Sequence, residues 1–505
     1  MPVIVARSDD TYCGLVATDP RSPQPLDVDV LVVGAGLSGI GTACRIATEC
    51  PDLAWAVLEA RESTGGTWDL FRYPGVRSDS DMFTLSYPFR PWTGEASIAA
   101  GEDILDYVRA TAREYGVDER IHLGQRVETL SWDSAAAVWT VRAVRADGSV
   151  LEHRARFVHL ATGYYSYDRP HDARIPGVGD FAGDLVHPQH WPEGLDVAGR
   201  RVVVVGSGAT AVTLVPALVA EGAAHVTMLQ RSPTYVAERP SVDHLARRLS
   251  RTLPASAAYR AVRAKNVVAS IATYGAMRRW PERGRALLQR RLVDRLPEGY
   301  PVQTHFGPDY DPWDQRLCLT PDGDLLDALS SQQAEVVTST IDRVVPEGVR
   351  LADGSVLPAD VLVTATGLAV EVAGGARIEV DGRALDPAEH VVYRGCMLSD
   401  VPNLSLTWGY ANASWTLRSD LTARWLTGLL RRMRTRGLRT ATPRWDGSGG
   451  PLSPLMPLSS GYLRRAEHLM PRQGGEWPWR VRQSYLRDSL EVRRRADDDG
   501  VLELR

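Results

Sequence analysis

The sequence predicts an α/β protein built from two doubly wound, Rossmann-like units with a helical insertion. Three observations predict it. An apolar strand, a glycine-rich turn and a helix follow one another twice, near residues 27 and 201. Each repeat is followed by a second strand that ends in a charged residue. Two further apolar strands end in Ala-Thr-Gly, at residues 161–163 and 365–367, which suggests that each unit is closed by its own copy.

In the first unit, Asp27-Val-Asp-Val-Leu-Val-Val33 reads as a buried parallel strand. It runs into Gly34-Ala-Gly36-Leu-Ser-Gly39 and a helix to about Glu49. A lone G-x-G-x-x-G is weak, but one placed between strand and helix has the required context. The glycines allow a tight turn and let the backbone approach a pyrophosphate, which the helix N-terminus stabilises. The next strand, Ala54 to Glu59, ends in an acid 20 positions after Gly39, placed to accept hydrogen bonds from ribose hydroxyls. Strands are expected around Arg126–Trp132 and Val138–Arg145, before the first Ala-Thr-Gly.

In the second unit, Arg201-Val-Val-Val-Val205 leads into Gly206-Ser-Gly208-Ala-Thr210-Ala211. Alanine replaces the third glycine, which slightly widens the helix–strand contact. The following strand, His225–Gln230, is succeeded by Arg231-Ser232, with Arg231 standing 20 positions after Ala211. An acid at this point suits free ribose hydroxyls and a base suits a 2′-phosphate. FAD is therefore expected in the first unit and NADPH in the second.

Between these motifs the chain is expected to divide as follows. Residues 27–165 begin the FAD-binding domain and 166–240 begin the NADPH-binding domain. Residues 241–300 are the helical insertion, with apolar residues at helical spacing (Leu245, Leu249, Leu253, then Val262, Val267, Ile271). Thirteen basic residues face four acids between 241 and 298, a local charge of about +9. That is read as a solvated insertion or as a surface attracting NADPH or an anionic membrane. Residues 301–350 complete the NADPH-binding domain, and 351–490 complete the FAD-binding domain and a C-terminal segment. Residues 1–26 read as an irregular lead-in, 442–461 as a loop, and the last 40 residues as mixed helix with a polar tail.

Composition bounds the function. The apolar fraction is 44%, the charged fraction 24% and the net charge −4, so nothing suggests nucleic-acid binding by the whole chain. Lys265 is the only lysine, so a Schiff base is excluded elsewhere and phosphates must be held by arginine, backbone N–H groups or hydroxyls. Five cysteines lack metal-ligand spacing and fit a reducing cytosol. No signal-peptide layout opens the sequence and no run of about 18 apolar residues suggests a membrane span. A cytoplasmic enzyme is the expectation.

Residues 181–192, Phe-Ala-Gly-Asp-Leu-Val-His-Pro-Gln-His-Trp-Pro, read on physics alone as a short linker between the units. Gly183 permits a turn, the prolines stop helices, and Phe181 and Trp191 offer apolar anchors. The spaced set Phe181, Gly183, His187, Trp191 and Pro192 resembles the fingerprint of the type I Baeyer–Villiger monooxygenases. A second fingerprint of that family is matched at Gly66, Trp68, Tyr73, Pro74, Gly75 and Asp79. The likeness covers about residues 27–490. It is strongest to the subgroup that activates the thioamide prodrug ethionamide, through Gly66–Gly75, His187–Pro192, Asp311–Cys318 and Asn412–Thr416.

The resemblance implies an NADPH- and O₂-dependent flavoprotein that forms a C4a-peroxyflavin and inserts oxygen beside a ketone carbonyl, giving an ester or lactone. It also implies thioether or thioamide oxidation. The catalytic candidates carried by it are Arg316, a fixed cation favouring the oxidant's anion, and Asp79, the carboxylate that positions it. Gly66, Thr67, Trp68 and Val127 are expected at the flavin nucleotide, and Thr210 and Ser232 at NADPH. His187 is expected to act through linker conformation. Gln315 departs from the family, where a lysine often helps to bind the NADPH phosphate. Trp408, Tyr410, Asn412 and Trp415 read as core or as substrate-pocket wall. Three alternatives are weighed. A disulfide reductase needs a cysteine pair, and Cys44 and Cys50 are six apart on one helix. The second is a flavin monooxygenase whose main reaction is on sulfur or nitrogen. A flavin-bound sensor or scaffold needs a damaged motif.

Overall fold

The structure, a computed structural model, describes residues 24–493 and 499–505. Most of the expected lead-in, with Cys13, lies outside the described residues. The fold is α/β with two separate sheets, each built on parallel strands, as expected; antiparallel strands extend the first.

The first sheet is built around β1 (Asp27–Val33). Its side chains alternate between two packed layers. Val30 and Val32 pack with Ile40, Cys44 and Val57, and Leu31 and Val33 pack with Leu58, Leu130 and Val158. Both faces are covered, which is why the strand is apolar throughout. Helix α1 (Leu37–Glu49) follows, then β2 (Trp55–Leu58) and β3 (Val150–Leu160); both strands pair with β1 in parallel. The chain then leaves this sheet through β4 (Tyr165–Pro170).

The second sheet is centred on β5 (Arg201–Val205), followed by α2 (Ala209–Ala220) and β6 (His225–Gln230). Three helices follow: α3 (His244–Thr252), α4 (Ala255–Arg279) and α5 (Pro281–Arg295). The strand β7 (Val361–Thr364) pairs in parallel with β5, and β8 (Leu368–Val370) pairs antiparallel with β4. The two crossings between the sheets are thus hydrogen-bonded to each other. Helix α6 (Trp415–Thr435) returns to the first sheet and packs on α1, and α7 (Gly461–Ala466) lies against β8.

Three sequence expectations need correction. First, β7 belongs to the second sheet, so a boundary between residues 350 and 351 falls too early. Second, residues 181–192 are more than a short linker. Asp184–Val186 is the edge strand of the second sheet, paired to Val361–Val363. Third, the last 40 residues are not helix and polar tail alone, because Leu502–Leu504 is a strand that pairs antiparallel with Ala441–Pro443.

Each Ala-Thr-Gly lies against the glycine turn of its own sheet. A Cβ on Gly34 (φ 104°) would sit 2.6 Å from the Ala161 carbonyl oxygen, and one on Gly206 (φ 143°) would overlap the Ala365 carbonyl oxygen. Only glycine permits both the φ and the approach. On α1, a Cβ at Gly39 would overlap the Gly34 carbonyl oxygen, so the third glycine lets the helix press on the turn. At the equivalent position, Ala211 is fully buried.

Candidate active site

Residues 65–79 form a loop that spans the two glycine turns. At one end Gly65 bridges to Gly36, and its N–H donates to the Ala35 carbonyl at 3.0 Å. At the other end a Cβ on Gly75 (φ 75°) would stand 2.8 Å from Ala217 Cβ, so the loop presses on α2. Tyr73 is buried against α2, and its phenol faces Thr210. Asp69, almost wholly buried, clamps the loop. Its carboxylate pairs with Arg109 at 2.7 Å, Arg61 at 2.8 Å and Arg72 at 3.4 Å, and accepts from Ser63. Sequence reading passed over Asp69. Its position in Gly66-Thr-Trp-Asp69 was the available signal.

Beneath this loop lies a cavity of about 260 Å³, lined by Trp68, Asp79, Tyr164, Arg316 and Trp415 and by Ala209 and Thr213 of α2. Gly36, Ala161, Tyr165 and Tyr167 are shared with a smaller cavity of about 90 Å³, which reaches Glu59, Gly66, Val127 and Gly374. The two form a trough along the first glycine turn. A larger surface depression of about 1170 Å³ lies between residues 451–459 and 463–487; it touches neither turn.

The residues at the turns fit dinucleotides. Neither Gly36 nor Gly208, the N-caps of α1 and α2, is accompanied by a side-chain cap, so the first-turn N–H groups are open to an anion. A Cβ on Gly208 would meet nothing within 4 Å, which leaves room for a phosphate at the backbone. Glu59 accepts the Ala35 N–H at 2.7 Å and the Arg61 N–H at 2.9 Å through different oxygens. Each oxygen keeps a lone pair for a ribose hydroxyl. Burial pushes the Glu59 carboxyl upward, and these two N–H donors oppose that. Thr67 Oγ1 lies 2.6 Å from the Tyr165 hydroxyl at the junction of the two cavities.

In the second unit, Ser207 Oγ donates to the Ser232 carbonyl at 3.1 Å, which brings Arg231-Ser232 beside the Gly206–Gly208 turn. Arg231 is exposed, with no ion-pair partner among the described residues. Its charge reaches Arg465 on α7: Arg465 is depressed first by partial burial and then by Arg231. Nothing in local sequence pairs two arginines 234 positions apart.

Asp79 and Arg316 share the cavity but are not bonded to each other. Arg316 Nη2 donates to the Tyr410 carbonyl at 3.2 Å. The Asp79 carboxylate is exposed to the cavity, with the protein packed around that cavity on its other sides. Burial therefore raises it to about 6, offset in part by Arg77 and then Arg316. Arg77, which sequence reading left without a role, lines the same cavity, pairs with Asp324 at 2.5 Å and keeps a buried Nε–H without a protein acceptor among the described residues. Trp415 is a cavity wall and donates from Nε1 to Ser38 at 2.8 Å. Trp408, Tyr410 and Asn412 are buried core.

The residues of the first fingerprint, Phe181, Gly183, His187 and Trp191, do not line the cavity. Trp191 packs on the second core, Phe181 packs with Val203 and Leu362, and a Cβ on Gly183 would overlap the Asp360 carbonyl oxygen. His187 Nδ1 accepts the Gln189 N–H at 3.2 Å, which puts its proton on Nε2. Burial lowers it to about 4, so the ring is neutral at pH 7. Gln189, fully buried, donates to the Ser166 and Tyr167 carbonyls at 2.9 Å each. The segment therefore ties the second sheet to β4.

Cys44 and Cys50 are free and buried, and burial pushes their thiols up to about 12 and 11. Neither has thiolate character, which excludes a redox pair there.

Comparison with known proteins agrees with this geometry. A family described as pyridine nucleotide-disulphide oxidoreductase matches residues 31–272. The chain is 48% identical over 475 residues to the FAD-containing monooxygenase EthA of Mycobacterium tuberculosis, covering 94% of this chain and 97% of that protein. It is 42% identical to a probable FAD-binding monooxygenase AlmA of Acinetobacter baylyi, covering 94% and 95%. Among solved structures, an open cyclohexanone monooxygenase aligns with a TM-score of 0.75 at 19% identity, over 95% of this chain and 100% of that one. A steroid monooxygenase bound to NADP aligns with a TM-score of 0.68 at 23% identity, over 83% and 88%. The chain belongs to the family of FAD-containing monooxygenases, and its fold is that of the Baeyer–Villiger monooxygenases.

Proposed function

We propose that the protein is an FAD- and NADPH-dependent monooxygenase that places one atom of O₂ beside a ketone carbonyl, giving an ester or lactone. The observation that carries this reading is the shared cavity. It lies between the two glycine turns and presents a guanidinium, Arg316, that forms no ion pair among the described residues.

FAD would be held along the first turn by Gly34, Gly36 and Gly39, Glu59, Gly66, Thr67, Trp68 and Val127. NADPH would be held by Gly206, Gly208, Thr210 and Ala211, with its 2′-phosphate at Arg231 and Ser232. Arg465 offers a second cation there, in a chain where Gln315 replaces the usual lysine. When bound, the two cofactors supply hydride transfer and oxygen activation. The chain's own residues do the rest. Arg316 presents a permanent positive charge where negative charge collects on oxygen. Asp79 and Arg77 adjust the field around that charge. Trp68, Tyr164 and Trp415 wall the cavity and exclude solvent. His187, neutral and distant from the cavity, holds the segment that joins second sheet to β4.

A second reading is oxidation of sulfur in a thioether or thioamide, supported by the likeness to the thioamide-activating subgroup. Both are tested by turnover with NADPH under ¹⁸O₂ against a panel of ketones and thioethers. Esters or lactones carrying one ¹⁸O are expected. Labelled sulfoxides with no ester would establish the second reading. NADPH consumption yielding hydrogen peroxide, with no labelled product from either class, would reject both.

A further inference from the structure

We propose that the outer face of the helical insertion docks on the surface of an anionic lipid bilayer. The carrying element is α4, which is apolar on two opposite sides. Its inner side, with Tyr259, Val262 and Val267, is buried against Phe83, Tyr410 and Leu417. Its outer side carries Ala261, Ala264, Val268, Ala272, Ala276 and then Trp280, all exposed and spaced three or four apart. Val268 is 55% and Trp280 50% exposed, and on α5 Leu287 is 50% and Val293 60% exposed. A helix apolar all round is normally covered all round.

Charge selects what covers it. The arginines turned toward the body are neutralised there: Arg278 pairs with Asp314, Arg285 with Asp311, and Arg295 with Glu238 and Asp327. The arginines turned outward are not. Arg247, Arg248 and Arg251 on α3, Arg260 on α4, and Arg283 and Arg290 on α5 are exposed and have no ion pair among the described residues. A second copy meeting this face across a two-fold axis would set the same arginines against one another. A bilayer with acidic headgroups accepts apolar side chains and arginines together, with α4 lying in the interface plane. No described helix is long and apolar enough to cross a membrane, so this is surface docking. The proposal is independent of which atom the enzyme oxygenates.

The test is co-flotation of the flavin-loaded full chain with vesicles of phosphatidylglycerol and phosphatidylcholine, compared with phosphatidylcholine alone. Binding is expected only with phosphatidylglycerol and is expected to fall as salt rises. The triple change Arg247→Gln, Arg248→Gln, Arg251→Gln should weaken binding about 100-fold, and Val268→Asp should also weaken it. Both variants should keep flavin content and NADPH oxidation, since these residues lie outside the cavity. Absence of phosphatidylglycerol-dependent flotation at low salt would overturn the proposal, as would undiminished binding by the triple variant. A dimer that Val268→Asp dissociates, with no lipid binding, would show that a second copy covers the face instead.

Discussion

Arg316 and Tyr410 are joined through the backbone: Arg316 Nη2 donates to the Tyr410 carbonyl, and no acid pairs with the guanidinium among the described residues. Tyr410 is itself fixed from behind, because its hydroxyl donates to Asp488 at 2.6 Å and Asp488 pairs with Arg418 at 2.5 Å, both buried. The cation that faces the cavity is thus positioned by a neutral group, with Asp79 near it but not bonded to it.

Arg316→Ala should uncouple the reaction. Loss of one charge-stabilising donor costs about 3–4 kcal/mol at the step it serves, roughly 10²–10³-fold in rate. NADPH oxidation should persist while ester per NADPH collapses. Measuring product and hydrogen peroxide together checks this, and an unchanged product yield would remove Arg316 from the oxygenation step.

Asp79 sets a pH dependence. Burial raises its carboxyl to about 6, so in the folded protein it is protonated below that value and ionised above it. Holding the ionised form there disfavours the fold, so this contribution lowers stability as pH rises from near 4 to near 6. Ester formation should show a limb near pH 6 that disappears in Asp79→Asn. A limb unchanged in the variant would assign it elsewhere.

Arg231→Ala should raise KM for NADPH about tenfold or more and leave KM for NADH nearly unchanged, because a 2′-phosphate contact is charge-assisted. Arg465→Ala should do the same to a smaller degree. Titration with NADP⁺ and NAD⁺ gives an independent readout. Equal loss for both nucleotides would reject the phosphate assignment.

Asp488→Ala should destabilise the chain by about 3–5 kcal/mol, since it leaves the buried Arg418 guanidinium without its partner. Thermal unfolding of the flavin-loaded protein reads the loss. A small shift would mean that solvent reaches Arg418 once the acid is gone.

What was legible in the sequence shares one cause. The glycine turns, the acid and base at equal spacing, and both Ala-Thr-Gly strands are dictated by close backbone approach, which leaves few residue choices. Asp69, Arg77, Gln189 and Arg465 were not legible because their partners lie far away in the chain. Asp69 meets Arg109 and Arg77 meets Asp324 only after folding. The strand within segment 181–192 was not read from its sequence, because a three-residue edge strand, Asp184–Val186, carries too little periodicity to announce itself. The boundary near 350 was misplaced for a related reason. An apolar parallel strand such as Val361–Thr364 fits either sheet, and only its hydrogen bonds to Val202–Val205 decide.

The pairing of β4 with β8 also bears on how such a protein could be assembled in evolution. Val370 lies opposite Tyr165, so the chain departs from the first sheet and rejoins it at neighbouring points, about 5 Å apart. Everything between them, including the second sheet and its helices, then has the topology of a cassette set into one loop of the first nucleotide-binding unit. Such a cassette can be lengthened, exchanged or decorated without moving the residues on which the host depends.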